Sequence, residues 1–533
     1  MKFLRLPDPL LSVLFEDSDI IAIDKPYGFN AHTNDSKVEH SDYIQDGLIE
    51  IYEKQLNCKL HIIHRLDQTT TGVMIFGKSV ESAKKYADYF FNRRVKKTYW
   101  FVTKHKSLKK SFFIDQAIVH KGRELEATTD LVFKSKSECF ELWEAFPHTG
   151  RNHQIRIHAQ AAGLSILGDI KYSGHHYPFL CLHNHKIEFP NGLVIISKDP
   201  VYFNDLKLLE DPLLTTMLFE ADRRQRLFTK VDHEQCFRLL HFKDHPISLN
   251  FTIDRLGEFL VLNWFGNRVS PADVNRFSQF VEIMQKPLIV KFNANKTLTE
   301  KQDDIVFYPK NFLKNATQEW FAKENHIKYI LRQQPNSTIV GLSLNQRIHR
   351  HWIVNNSHKK SVLNIFAHTG ASGLAAQIGD ASHVTIVDHQ KSALSWAKDN
   401  FELNNGVTGQ VSFLLRDSLS FIEQCVAKNK KFDLIICDTP SFFRREKGFF
   451  KIDSDLDQLL ESCFACLNNN GHLLFSTTSD SYFIDDLRLV FLRIQKKIKN
   501  IKLVIYCLLP ALDFELPDEK VNLKSFCIQI IKE

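Results

Sequence analysis

Short apolar runs broken by turn residues fill the first part of the chain. Ser12-Val-Leu-Phe15 and Ile20-Ile-Ala-Ile23 read as two short strands around the turn Asp17-Ser-Asp19, and Lys25-Pro26-Tyr27-Gly28 ends the second. Leu48 to Tyr52 has helical spacing, Val73-Met-Ile-Phe76 reads as a strand, and Ser79 to Phe91 reads as a helix with Ser79 as its N-cap. Strand-like segments fill residues 111–190, with turns at His148-Thr-Gly150 and Pro190-Asn-Gly192. Glu220 to Leu227 predicts a surface helix with a charged face. From Asn250 to Leu262 two alternating apolar runs flank the polar stretch Asp254–Gly257, which predicts a hairpin. After residue 361 the pattern changes to buried strand, glycine turn, helix, strand. Val362–Phe366, Val384–Val387 and Phe432–Asp438 are the clearest strands, and they predict a doubly wound sheet.

A chain of 533 residues is too long for one ordinary core, so two to four domains are expected. Hydrophobic content of 44% and charged content of 25% are those of a globular protein. The net charge of +7 is mild for this length and is compatible with nucleic acid without requiring it. No run is long enough to span a bilayer, and Met1–Asp8 is too interrupted by charge and proline for a leader. The ten cysteines are scattered. Their one CxxC, Cys463 to Cys466, sits in an apolar helical pattern and reads as buried core thiols. No zinc site is completed, and a cytoplasmic location is expected.

Candidate chemistry begins at His61-Ile-Ile-His-Arg-Leu-Asp-Gln-Thr-Thr-Thr-Gly72. Asp67 follows a cation and precedes a hydroxyl-rich turn at the edge of a strand. A carboxylate so placed can serve as nucleophile or base; a salt-bridged loop aspartate fits equally well. The stretch His64–Gly72 resembles the HRLDxxTSG signature of the RluA-type pseudouridine synthases, with Thr71 in place of serine. Four further blocks resemble that family in the same order: Ile23–Gly28, Lys97-Thr-Tyr99, His148–His158, and Gly168–Tyr172 with Leu182-His183. In His148–His158, Asn152 replaces the usual threonine. The resemblance covers roughly the first 190 residues. It implies that Asp67 is catalytic, that Arg156 lies beside it, and that Tyr99 stacks on the target base.

Between Lys84 and Lys110, lysines and arginines interleave with Phe90, Phe91, Tyr99, Trp100 and Phe101. That mixture suits RNA, although a solvated helix face over core aromatics fits the pattern alone. Arg65 and Arg151 are expected to bind phosphate or brace loops. His64, His148, His153 and His158 have no metal-site spacing and are expected to be hydrogen-bonding residues.

In the last third, the glycine turn Ala367–Gly373 follows a strand, and Asp388 ends the next strand about 20 residues on. This alone would also suit a nicotinamide dinucleotide. The strand end Asp438-Thr-Pro-Ser-Phe442 resembles the DPP element of methyltransferases, with Thr439 in place of a proline. Leu363–Gly370 resembles the LNLFSYTG motif of the RlmI/RlmK group of ribosomal RNA methyltransferases. Leu344–Arg347 resembles their LDxR, with Asn345 for aspartate, and Phe237–Leu262 resembles the start of their central domain. The resemblance implies S-adenosylmethionine (SAM) held by Thr369, Gly370, Asp388, Asp417 and Asp438; for Asp417 a helix N-cap fits as well. Methylation at cytosine carbon five needs a cysteine nucleophile. Phe475–Ser479 has serine and threonine there, so a guanine ring nitrogen is the favoured target.

These readings lead us to expect an α+β pseudouridine synthase domain over 1–200, then a linker and small α+β central domain over 201–345, then an α/β Rossmann-like SAM methyltransferase domain over 346–533. Such a chain would isomerise uridine to pseudouridine without cofactor or metal and methylate an RNA base with SAM. The partner would be RNA, ribosomal or transfer, and no membrane. An RNA-binding or ribosome-assembly factor with one inert half is the alternative. Oligomeric state is not legible.

Overall fold

The computed structural model describes residues 2–8, 13–33, 47–228, 234–242, 250–265, 269–292, 305–310, 319–333, 340–404, 410–445, 448–498, 500–514 and 523–532. The chain forms two units. One comprises Leu10–Val231 and Ser270–Met284; the other comprises Met1–Pro9, Asp232–Val269 and Gln285–Glu533.

The first unit is built on a ten-stranded, mostly antiparallel sheet. Towards one edge of it Ile20–Lys25 pairs with Thr71–Gly77, and both strands are buried at every position. That double-sided burial explains their unbroken apolar runs. Thr71–Gly77 pairs in parallel with Leu182–Glu188, which pairs with Lys96–Thr103 and so leads to Glu141–Pro147. The helix Val80–Phe91 starts at Ser79, whose side chain accepts from the Ser82 N–H while Ser82 answers with a reciprocal bond. Its Ala83 and Tyr86 pack with Ile20, Val73, Ile75 and Ile187. The described strand near the start is Phe15–Glu16; Ser12, at the head of the expected strand, lies outside the described residues.

Two expectations in this unit need correction. The run after His153 is not strand-like: Gln154–Ala161 is a helix. Ile155 and Ile157 alternate with polar residues and imitate a period of two. Those polar residues are buried too, because Gln154, Arg156 and His158 find partners inside. Nor is Glu220–Leu227 a solvated charged face. It lies in the helix Pro212–Gln225 and the short turn after it, and Arg223, Arg224 and Arg226 are buried. Arg226 donates to Asp24 at 2.6 Å, Asp222 at 2.7 Å, Ser197 at 3.0 Å and the Lys198 carbonyl at 2.9 Å. A buried guanidinium with that many partners is tolerated, and charge pattern alone cannot distinguish it from a wet one.

The second unit holds an eight-stranded sheet. Its parallel core runs Leu467–Thr477, Phe432–Thr439, Ser361–Ile365, His383–Asp388, Gln410–Leu415, and the antiparallel Lys524–Lys532 flanks it. This is a Rossmann-like α/β sheet. At its far edge Lys2–Leu4 pairs in parallel with Ile501–Leu508. The first residues, read above with the N-terminal domain, therefore belong to this unit. A three-residue strand, exposed along its length, carries too little pattern to show its partner. Asp8 follows it and accepts from the fully buried Arg347 at 2.7 Å, which also makes a two-pronged pair with Asp513. The central segment contributes a five-stranded sheet that includes the expected hairpin, Phe251–Leu256 with Phe259–Trp264, and a separate pair, Glu319–Glu324 with Ile327–Arg332. Among the described residues no helix is long and apolar enough to cross a membrane.

Candidate active sites

Pairing of Ile20–Lys25 against Thr71–Gly77 sets Lys25 opposite Gly72, at the end of the loop that carries Asp67. The Lys25 ammonium is fully buried and donates to the carbonyls of Pro26, Gln68 and Thr70 at 3.1, 2.9 and 2.9 Å. Burial pulls its pKa down to about 7, partly offset by Asp67. Gly28 and Gln68 exchange two further bonds, and the Thr70 N–H closes a turn on the Asp67 carbonyl. The backbone on both sides of Asp67 is thereby held before any substrate arrives.

Arg156 comes from the helix Gln154–Ala161. Its Nη1 lies 3.5 Å from Asp67 Oδ2, while its Nε and Nη2 grip Asp169 at 2.7 Å each. Asp169 is buried and aims the guanidinium, which then reaches Asp67 with one nitrogen. His153 Nε2 stands 3.7 Å from the same Asp67 oxygen, and its Nδ1 is 2.8 Å from the Tyr172 hydroxyl. His153 itself has φ of 55°, a left-handed conformation that turns the chain into the helix. Desolvation lowers the His153 pKa and keeps the ring neutral. Tyr99, on Lys96–Thr103, faces the same space; burial, then the charge of Asp67, raise its pKa and keep the phenol protonated.

Asp67, Tyr99, His153 and Arg156 line one cavity of about 780 Å³. Among its described lining residues Asp67 is the one acid, against the cations Arg65, Arg93, Lys97, Arg151 and Arg156. Phe90 and Phe91 also line it, and Phe91 is 84% exposed. Lys97 donates to the Thr149 carbonyl at 2.9 Å and Arg151 to the Glu126 carbonyl at 3.0 Å, so both brace loops of the rim. The four histidines are hydrogen-bonding residues: His64 accepts from the Ile75 N–H, His148 meets Asp130, His158 meets Thr129, and His153 meets Tyr172.

In the other unit the carboxyl ends of the parallel strands carry the candidate residues. Gly370 has φ of 71° where the turn enters the helix Ala371–Ile378, and an added Cβ would lie 2.8 Å from the Ala397 Cβ. Asp388 ends its strand with one oxygen accepting from the His368 N–H and the other from the Gln390 N–H, both at 2.8 Å. That leaves lone pairs on each oxygen. Thr369 donates its hydroxyl to the Gly341 carbonyl at 2.6 Å. Asp417 N-caps the helix Ser418–Ala427 through the Ser420 N–H at 2.8 Å and pairs with Arg445 through both oxygens. Asp438 accepts from the Ser476 hydroxyl at 2.7 Å, and Ser476 in turn accepts from Gln346 at 3.0 Å. Desolvation raises the Asp438 pKa.

Comparison with known proteins follows this division. Residues 19–161 match the RNA pseudouridylate synthase family, and residues 310–491 match the S-adenosylmethionine-dependent methyltransferase family. Each of the two units thus carries the stretch that matches one of these families. The ribosomal RNA large subunit methyltransferase K/L of Pseudoalteromonas translucida (strain TAC 125) is 29% identical over 254 residues, which is 42% of this chain and 36% of that protein. Its counterpart in Shewanella oneidensis is 36% identical over 163 residues, 30% of this chain and 22% of that one. The chain thus spans about a third or less of the length of these relatives. The crystal structure of SMU.776 complexed with SAH has a similar fold, with a TM-score of 0.51 and 21% identity over 64% of this chain and 86% of that one.

In the first unit, Asp67, Tyr99 and Arg156 come together on one cavity. Lys25 and Asp169 were missed as site residues, although both lie inside quoted motif blocks; a buried charge beside a glycine turn was the available signal. In the methyltransferase domain, Ser476 and Gln346 were missed. The approach of Ser476 to Asp438 depends on the pairing of Phe432–Thr439 with Leu467–Thr477, which no local pattern announces, and Gln346 reaches Ser476 from the turn Leu344–Gln346.

Proposed function

We propose that the chain is a bifunctional RNA-modifying enzyme. The pseudouridylate synthase domain isomerises a uridine to pseudouridine, and the methyltransferase domain transfers a methyl group to an RNA base. One observation carries the first activity: Asp67, oriented by Arg156, is the one carboxylate among the described lining residues of a cavity that also presents Arg65, Arg93, Lys97, Arg151, Tyr99 and Phe90. Phosphates of an everted nucleotide would meet the arginines, and the base would rest on Tyr99. Asp67 would either add to the anomeric carbon or remove the neighbouring ribose proton. The freed base would then rotate and bond through its carbon five as the bond to Asp67 breaks, or as the ribose proton is returned, and the loss of the carbon-five proton would be matched by protonation of the ring nitrogen that left the sugar. No cofactor or metal is needed for this isomerisation.

For the second activity, SAM would lie along the carboxyl edge of the parallel sheet. Gly370 admits close backbone approach and Asp388 keeps acceptor capacity for the ribose hydroxyls. The Thr369 and Asp417 side chains are held by the protein and would shape the site from behind. SAM supplies the electrophilic methyl group; Asp438 and Ser476 would align the acceptor base. Every cysteine of this unit is buried. That supports a ring nitrogen, guanine by resemblance, over cytosine carbon five. The names of the relatives favour ribosomal RNA over transfer RNA, and a cytoplasmic location follows from such a substrate.

Asp67→Asn is expected to abolish pseudouridine formation while RNA binding, followed by filter retention, persists; undiminished turnover would contradict the assignment. Calorimetric titration with SAM checks the other half. Absence of both heat and thermal protection would leave it an RNA-binding scaffold.

A further inference from the structure

We propose that His183, His185 and Asp199 form a binding site for a divalent transition-metal ion of the zinc class. One ligand atom from each of the three lies within 4.8 Å of the others. His183 and His185 stand two apart on the strand Leu182–Glu188, where the ladder to Lys96–Thr103 shifts register between Asn184 and Lys186, and their ring centroids lie 6.5 Å apart. The strand Val194–Ile196 pairs back on it, Lys186 opposite Ile196, and this return brings Asp199 Oδ1 to 2.6 Å from His185 Nδ1.

An independent feature points to a ligand. His183 is fully buried and its Nε2 has no hydrogen-bond partner. Its other nitrogen, Nδ1, lies 2.9 Å from the Thr71 hydroxyl. With Nδ1–H donating to that hydroxyl, the Nε2 lone pair is free. A metal-bound imidazole has this arrangement, its second nitrogen held by an outer partner. The Trp100 indole stacks on His185 with centroids 4.2 Å apart and fixes that ring as well.

Charge and access are compatible with a cation. Arg226, whose charge acts on His183, is paired with Asp24 and Asp222, so the carboxylate of Asp199 remains for the ion. The His185 and Asp199 side chains are 18% and 23% exposed, which opens a path and leaves a coordination position for water. Two imidazoles and one carboxylate suit zinc or cobalt and not magnesium or calcium. The bound ion replaces the proton between His185 and Asp199, and this proton is released to solvent. It would clip the hairpin of Leu182–Glu188 and Val194–Ile196 to Thr71, which follows the Asp67 loop.

The test uses the full chain, stripped by chelator and titrated with Co²⁺ and then Zn²⁺. One equivalent of Co²⁺ is expected to bind with visible ligand-field bands, Zn²⁺ is expected to bleach them, and Zn²⁺ is expected to raise Tm. His185→Gln and Asp199→Asn alter partly exposed positions and are expected to fold as judged by circular dichroism, yet to lose both responses. The site is refuted if wild type shows no ligand-field bands, or if both folded variants keep its stoichiometry and its Tm shift.

Discussion

Asp67 owes its geometry to residues that never meet substrate. Lys25 closes the loop from below, and Asp169 aims Arg156 from behind. Asp169→Asn preserves shape but removes the charge that orients the guanidinium. It is expected to lower the kcat of pseudouridine formation on the order of 10²-fold with KM little changed, as single-turnover and steady-state rates would reveal. A second residue-scale effect concerns acid. His349 is buried, donates from Nδ1 to Gln346, and has its pKa pulled by burial, then by Arg350, down to about 3. The unfolded chain binds a proton near the ordinary histidine value of about 6.5, which the folded ring refuses until about pH 3. Unfolding therefore takes up a proton between those values, and stability falls as pH drops through that window. His349→Gln should flatten the dependence of Tm on pH there; an unchanged slope would contradict the reasoning.

Elements were legible where one local signal sufficed. Ser79 with Ser82 announces the start of Val80–Phe91, and the capping box is present. Ser79→Ala is expected to cost about 1 kcal/mol in urea unfolding while leaving pseudouridine formation intact. The helix Gln154–Ala161 was misread because its buried side is polar, and hydrophobic periodicity does not register buried polar groups. The same limitation hid the buried arginines of Pro212–Gln225, whose partners Asp24 and Ser197 come from remote strands.

At the scale of the whole chain, the N-terminal residues belong to the methyltransferase unit. Arg347 joins Asp8 and Asp513, the former 339 positions away. Arg347→Ala would remove the guanidinium that two buried carboxylates share and is expected to destabilise that unit by about 3 kcal/mol, measurable as an early transition in denaturant. Loss of Tm without loss of pseudouridine formation would be the accompanying sign. Motif order had already indicated two family resemblances in succession, because each family's blocks are contiguous. It did not indicate that the first strand crosses to the second unit.

By itself the sequence determined the two family resemblances and the acids that carry them: Asp67, Asp388 and Asp438 sit in short motifs whose spacing is local. Tertiary structure alone decided what orients and neutralises them. Asp169 on Arg156, Ser476 on Asp438 and Thr71 on His183 are contacts across strand pairings and turns, where the energy depends on distance in space and not on separation along the chain.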